Sequence, residues 1–343
     1  MKQIKLALIG FGNVGRAFAR LIIAKQNELA KNYDLELRVT EIATMRHGMA
    51  INPAGIDLER ALQLVEKGES LEPLNNQMPP SSMLDFIDHC PADALLENSP
   101  VNHETGQPAI DHLRSALEHG MYAITANKGP VVHGYAELTA LAASKGLRFM
   151  FESSVMDGAP IFSLFRGPLP AITLNGFQGI LNSCTNYILG RMEKGESFDQ
   201  AVEFAKSIGI TETDPSADID GWDAAIKIAA LSTVLMGVPL KPQQVNRSGI
   251  RWITPEMIAD AAREGKRWKM VCRARRRGDT IEARVAPEKI APSSPLYGIN
   301  GTSSYIQFET DILPGLGIVE YDPGPKTTAY GLLADLLNAL RGA

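Results

Sequence analysis

Residues 4–31 read IKLALIGFGNVGRAFARLIIAKQNELAK, and this stretch decides the fold. IKLALIG is an apolar run of strand type, and the residues after it, beginning FGNVGRAF, place their apolar side chains at helical spacing. A strand that feeds a helix through a glycine turn is half of a βαβ unit. LELRVTEIATM (35–45) reads as a second strand and DALLENS (93–99) as a third. TGQPAIDHLRSALEHG (105–120) reads as a helix closed by Gly120 at its C-cap. MYAIT (121–125) and LRFMFESS (147–154) add strands on either side of the helix YAELTALAASKG (135–146). This alternation predicts an α/β domain, an open parallel sheet doubly wound by helices on both faces.

Beyond Ser154 the texture changes. ITLNGFQGIL (172–181) is strand-like, residues 184–208 hold two helices, and 221–236 form a third. WKMVCRARR (268–276), TIEARVAPEKI (280–290) and SSYIQFETD (303–311) follow as strands, so an α+β domain with helices on one face of a sheet is expected. A last helix, TTAYGLLADLLNALR (327–341), comes after the Gly/Pro-rich loop EYDPGPK.

At 343 residues the chain exceeds what one hydrophobic core usually supports, and two domains are expected. The net charge of −5 is modest and both signs are interspersed, which gives no footprint for nucleic acid. The densest basic run, Arg273 to Arg277, precedes a Gly-Asp turn and reads as the solvated end of a hairpin strand. Cys90, Cys184 and Cys272 are far apart and odd in number, which suggests neither a disulfide framework nor a zinc cluster and fits a reducing cytoplasm. No apolar run reaches the ~18 residues of a membrane span, and the N-terminal one enters a glycine motif rather than a cleavage site.

Gly10-Phe11-Gly12-Asn13-Val14-Gly15 is G-x-G-x-x-G between a strand and a helix, the context of a dinucleotide-binding turn. Gly10, Gly12, Asn13, Val14 and Gly15 are thus candidate cofactor residues, with Ser99 at the end of DALLENS. The tip of the second strand reads Ala43-Thr44-Met45-Arg46-His47 without a carboxylate, and Glu41 lies further back. Arg46 matches a ribose 2′-phosphate, so NADP is favoured and NAD stays open. In YAITANKGP, Lys128 falls just past a strand's carboxyl end, where ligands bind in open α/β sheets and where a lysine can transfer a proton or hold a substrate oxygen.

TETDPSADIDGWDAAIKIAAL (211–231) sets Glu212, Asp214, Asp218, Asp220 and Asp223 ahead of an almost wholly apolar helix. Asp223 and Lys227 stand four apart, share a helix face and follow the favourable order. A buried charge without a partner costs several kcal/mol, so the pair is expected to meet and to line a pocket. Asp218 and Asp220 also suit helix caps. A cluster of carboxylates facing a cation suits a zwitterionic substrate.

With these residues in view, the sequence resembles the homoserine dehydrogenase family over nearly its whole length. The glycine turn, ITANKGP, FESSVMDGAPI, GILNSCTNYIL, the 211–231 stretch and TTAYGLLADLL carry the resemblance. It implies a Rossmann-type domain (1–148, completed by 318–343) and a catalytic and dimerisation domain (149–317). It implies NAD(P)-dependent interconversion of L-aspartate 4-semialdehyde and L-homoserine, in threonine and methionine biosynthesis. By position, Glu212 and Asp218 hold the substrate amino group, Asp223 orients it, and Lys227 and Lys128 act at the reacting oxygen, either as formal acid. A monovalent cation site, built largely from backbone carbonyls, is carried over near Glu152, Val155 and Asp157. A homodimer assembled through the catalytic-domain sheet is expected.

Ser183-Cys184 replaces the family's usual Gly-Thr in the substrate-lining segment, Ile210 replaces a tyrosine or similar residue, and VMDG a more glycine-rich turn. A shifted preference among small amino-acid alcohols and aldehydes is the alternative these swaps raise, and a catalytically silent nucleotide sensor is a second. Cys184 reads as a small pocket-lining residue rather than a nucleophile. The chain reads as a short form without the C-terminal regulatory domain, so threonine inhibition through such a domain is not expected.

Overall fold

The computed structural model describes residues 1–78, 80, 82–211 and 214–342. The chain forms two compact units, Met1–Pro160 with Gly324–Ala343, and Ile161–Pro323.

The first unit opens with β1 (Lys2–Ile9), α1 (Asn13–Tyr33), β2 (Leu35–Ala43), β3 (Met49–Ile51), α2 (Leu58–Glu66) and α3 (Met83–Asp88). It continues through β4 (Ala94–Glu97), α4 (Ala109–Glu118), β5 (Tyr122–Thr125), α5 (Lys128–His133), α6 (Tyr135–Ser144) and β6 (Phe149–Met150). The sheet order is β3-β2-β1-β4-β5-β6, parallel except for β3. Ile4, Leu6 and Leu8 alternate onto one face of β1 and pack with Phe18 and Ile22 of α1 and with Leu332 and Leu336 near the C-terminus. Ala7 and Ile9 are buried on the other face. Burial on both faces explains why β1 reads as a continuous apolar run.

In the second unit α7 (Phe162–Arg166), β7 (Leu174–Ile180), α8 (Ser183–Met192), α9 (Phe198–Ser207), α10 (Ser216–Ile219) and α11 (Trp222–Leu235) come first. Then come β8 (Asn246–Arg247), α12 (Pro255–Arg263), β9 (Arg267–Arg277), β10 (Thr280–Ile290), β11 (Ser304–Thr310) and β12 (Leu316–Glu320). The order β12-β11-β7-β9-β10-β8 is antiparallel except for the β10/β8 pair. α11 lies against β9 and β10, and its Ala224 to Thr233 run is buried except at Lys227, which is half-buried. The residues of β9 that alternate away carry polar groups. Arg273 pairs with Glu288 at 2.9 Å, Arg275 with Glu309 at 3.0 Å and Arg277 with Glu282 at 2.9 Å. The basic run is thereby matched by acids of β10 and β11.

α13 (Pro325–Arg341) returns to the first unit and packs on α1. Both expected domain boundaries move. The first unit runs past 148 to Pro160 because β6 pairs with β5 and the next segment bonds to α13: the Glu152 amide donates to Asp335 Oδ2 at 2.7 Å and Ser153 Oγ to the Thr328 carbonyl at 2.8 Å. It resumes at Gly324 rather than at 318 because β12 pairs with β11.

Candidate active site

The glycine turn of the first unit has a steric reason at each glycine. Gly10 has φ +90°, and a Cβ there would lie 2.4 Å from the Asn98 carbonyl oxygen. A Cβ on Gly15 would lie 2.4 Å from the Gly10 carbonyl oxygen, so helix and turn touch backbone to backbone. A Cβ on Gly12 would meet nothing within 4 Å, which leaves its backbone open to a ligand. Gly12 precedes α1 without a side-chain cap, and the first amides of that helix, at Asn13 and Val14, suit an anion.

The carboxyl ends of β4 and β5 are tied together beside this turn. Thr125 Oγ1 donates to the Glu97 carbonyl at 2.8 Å, the Ser99 amide to Glu97 Oε1 at 3.0 Å, and Asn127 Nδ2 to the Ser99 carbonyl at 3.2 Å. Asn127 Oδ1 caps α5 by accepting the Gly129 amide at 2.9 Å, which fixes Lys128, half-buried, as the first residue of that helix. Both polar side-chain atoms of Asn98 and the Ser99 hydroxyl are buried without a partner among the described residues. Orphaned polar atoms at a strand's carboxyl end, next to an open glycine amide, fit a nicotinamide dinucleotide. Asn98 had not been singled out from the sequence. Arg46 is exposed on the turn after β2. Glu41 is fully buried and accepts from Thr40 Oγ1 at 2.9 Å and Cys90 Sγ at 2.8 Å, so it faces the fold's interior; burial holds its carboxyl above the usual range.

In the second unit Lys227 Nζ lies 3.2 Å from Asp223 Oδ2, with side-chain exposures of 15% and 16%. The same amine donates to the Leu181 carbonyl at 2.6 Å. Asn182, the N-cap of α8, donates from Nδ2 to Asp218 Oδ1 at 2.7 Å and Asp223 Oδ2 at 2.9 Å. Thr211 Oγ1 donates to Asp218 Oδ2 at 2.9 Å. Burial, and then the neighbouring Asp223 charge, push the Asp218 carboxyl above its usual range. Ser183 is half-buried and Cys184 buried in the first turn of α8; burial and the Asp218 carboxylate push the Cys184 thiol up, which keeps it neutral.

The capping expectation is corrected here. α11 starts from Gly221 at φ +80° with no side-chain cap, while Asp218 serves Asn182 and Thr211 and Asp220 accepts from Arg251 Nε at 2.5 Å. A left-handed glycine reverses the chain before the helix, and the acids are then spent on tertiary partners. Glu212 lies outside the described residues. Asn182 and Thr211 were missed as site residues, although an Asn directly before a helical run is a cap signal.

Glu152 and Val155 are buried at the foot of α13, and Asp157 Oδ1 accepts the Thr328 hydroxyl. Asp335 Oδ2 of α13 accepts the Glu152 amide, so the Asp157 and Asp335 carboxylates are both engaged by the fold. Among the described residues no group of three or more His, Cys, Asp or Glu side chains is disposed to hold a metal ion. Likewise, no helix among them is long and apolar enough to cross a membrane.

A family model for homoserine dehydrogenase matches residues 160–337. A homoserine dehydrogenase of Methanocaldococcus jannaschii is 36% identical over 334 residues, covering 97% of each chain. An NAD(+)-dependent homoserine dehydrogenase of Pseudomonas canavaninivorans is 32% identical, covering 100% of this chain and 98% of the other. Among solved structures, a hyperthermophilic archaeal homoserine dehydrogenase in complex with NADPH aligns with a TM-score of 0.84 and 28% identity, over 100% of this chain and 99% of that one. Glycine turn, buried lysine–aspartate pair and full-length similarity agree, and the chain belongs to the homoserine dehydrogenase family of NAD(P)-dependent oxidoreductases.

Proposed function

We propose that this chain interconverts L-aspartate 4-semialdehyde and L-homoserine with NAD(P), a step toward threonine and methionine. The observation that carries the reading is the half-buried Lys227 amine, held at 3.2 Å by Asp223 and at 2.6 Å by the Leu181 carbonyl, with Asp218 joined to Asp223 through Asn182.

Oxidation of the alcohol removes a hydride from carbon and a proton from oxygen. A bound nicotinamide dinucleotide would supply the chemistry for that hydride, as acceptor in one direction and donor in the other. Gly10, Gly12, Asn13, Val14 and Gly15 hold the pyrophosphate at the start of α1, and Asn98 and Ser99 offer their orphaned polar atoms to the rest of the cofactor. Lys227 moves the proton at the substrate oxygen and polarises it when it is a carbonyl, and Asp223 favours and orients the ammonium. The resemblance gives Lys128 the second lysine's part in the same reaction. Asp218, with Glu212 from the resemblance, takes the substrate's α-ammonium. Ser183 and Cys184 line the pocket. No step passes through a cation at Glu152, Val155 and Asp157.

Arg46, exposed at the tip of β2 where an NAD site would place an acid, supports NADP. Free Cys90, Cys184 and Cys272 support a reducing, cytoplasmic setting. The resemblance supports a homodimer assembled through the second unit's sheet, where Gln178 and Gln307 bond each other within the chain at 2.8 Å and Val319 is exposed. The test is steady-state oxidation of homoserine with NADP and NAD in parallel, with other small amino-acid alcohols as comparison substrates. Turnover fastest with homoserine is expected; none with homoserine and either cofactor overturns the reading.

A further inference from the structure

Asn182 has every polar position of its carboxamide used, and each bond reaches a different element. Oδ1 accepts the Thr185 amide at 2.8 Å and lies 2.9 Å from Thr185 Oγ1, which decides the orientation of the group. The two N–H bonds then point to two carboxylates, Asp218 of α10 and Asp223 of α11. The preceding residue, Leu181, gives its carbonyl to Lys227. The turn between β7 and α8 thus grips both acids and the amine, and Asn182 itself is 3% exposed.

We propose that Asn182 is the positioning residue of this site: its carboxamide fixes the separation of Asp218 and Asp223 and, through Asp223 and the adjoining carbonyl, the direction of the Lys227 amine. The inference rests on the functional reading above for its kinetic consequence, but not for its geometry. Two carboxylates drawn together in a buried place repel, and the amide's two donors offset that repulsion by favouring the ionised form of each. Without them the pair would spread or take up a proton, and Lys227 would follow its partner. Among the described residues, the titratable and charged groups facing the pair include Lys227, Cys184 of α8 and Cys272 of β9.

Asn182→Asp separates positioning from capping. Aspartate is an equally good N-cap and nearly the same size, so the start of α8 survives, but it offers no donor and adds a third negative charge. The expected result is a loss of about 10- to 100-fold in kcat/KM for homoserine, the range typical of residues that orient a primary group. The acid limb of the pH profile should also move to higher pH, and because the added carboxylate is buried against two others the thermal midpoint should fall, so kinetics are read below that midpoint on folded protein. Asn182→Ala, which removes cap and donors together, should lose both activity and stability. Carboxyl-detected NMR titration of Asp218 gives a readout independent of turnover: its pKa should rise in both variants. A parent that fails to oxidise homoserine would overturn the functional reading and leave this titration to decide the positioning role. An Asp218 titration in Asn182→Asp that matches the parent's overturns the proposal, and so does unchanged kcat/KM with an unchanged acid limb in an active parent.

Discussion

Replacing Lys227 with methionine removes the charge while keeping most of the volume, and the structure sets the size of both consequences. At 3.2 Å the pair's attraction is ~5 kcal/mol with an effective dielectric of ~20. Desolvation of both charges cancels much of this, and breaking one partner of a buried pair typically costs 3–5 kcal/mol, roughly, through the charge left behind. Here Asp223 keeps the Asn182 bond and 16% exposure, so about 2–3 kcal/mol of stability should be lost, at or just below the lower limit of that range. Asp223→Asn with Lys227→Met should cost less than the lysine change alone, because no charge is then stranded.

The catalytic loss should be larger. Loss of a positioned acid or base costs roughly 10²–10⁴-fold, and the other donors of the network, Asn182 and Thr211, are neutral groups that release no proton in this range. A fall of about 10³-fold or more in kcat for homoserine oxidation is expected, ~4 kcal/mol of barrier. Cofactor affinity, measured by nicotinamide fluorescence, should stay within about twofold, since the glycine turn is held by its own backbone contacts to Asn98 and within α1. Turnover within tenfold of the parent, in protein shown to be folded and to bind cofactor, would refute the assignment of the amine to the reacting oxygen.

Gly12→Ala should fold normally, because its Cβ meets nothing within 4 Å, yet weaken cofactor binding; Gly10→Ala, with φ +90° and the Asn98 oxygen at 2.4 Å, should lower the thermal midpoint. Equal midpoints for the two would count against the steric account. Arg46→Ala should lower the ratio of kcat/KM with NADP to that with NAD by about 10- to 100-fold, and an unchanged ratio removes Arg46 from cofactor choice. Burial raises the Glu41 carboxyl, so between its ordinary and raised values the folded state binds more protons than the unfolded one and stability falls as pH rises. Glu41→Gln lacks this loss: its midpoint relative to the parent should climb from pH 4 to pH 8, and a constant difference in thermal melts would contradict the linkage.

What the sequence revealed was what local spacing encodes. The glycine turn, the doubly wound alternation and the Asp223–Lys227 pair all lie within a few residues of chain, where helical and strand periods speak directly. The partners of that pair do not. Asn182 reaches Asp218 and Asp223 across 36 and 41 residues, and a side-chain bond over that span leaves no periodic trace. Asn98 was hidden for a similar reason, since its neighbourhood to Gly10 is created by the pairing of β1 with β4. The boundary errors came from the segment after β6, whose bonds to α13 span 183 and 175 residues of chain and leave no local pattern, and from β12, LGIVE, whose pattern is mixed with a glycine. The supposed caps failed because a carboxylate before a helix looks the same in sequence whether it bonds the helix or a distant amide.

Charge balance links the network to the kind of substrate it would accept. Among the described residues Asp218 and Asp223 face Lys227, and Asn182 and Thr211 add donors without adding charge. Burial first, and then the Asp223 charge, hold the Asp218 carboxyl above its usual range. A substrate α-ammonium placed against Asp218 would supply a positive charge and lower that carboxyl again. Binding should then release a proton from any Asp218 that had taken one up. On this reading an amino-acid alcohol has an advantage over the same alcohol without its amino group that shrinks as pH falls through the Asp218 titration, because the ammonium binds the ionised carboxylate. A plain alcohol gains nothing from neutralising the acid and should show no such trend. Equal pH dependence of the dissociation constants of the two alcohols would remove Asp218 from ammonium recognition, while leaving the Lys227 chemistry to stand or fall on its own variant.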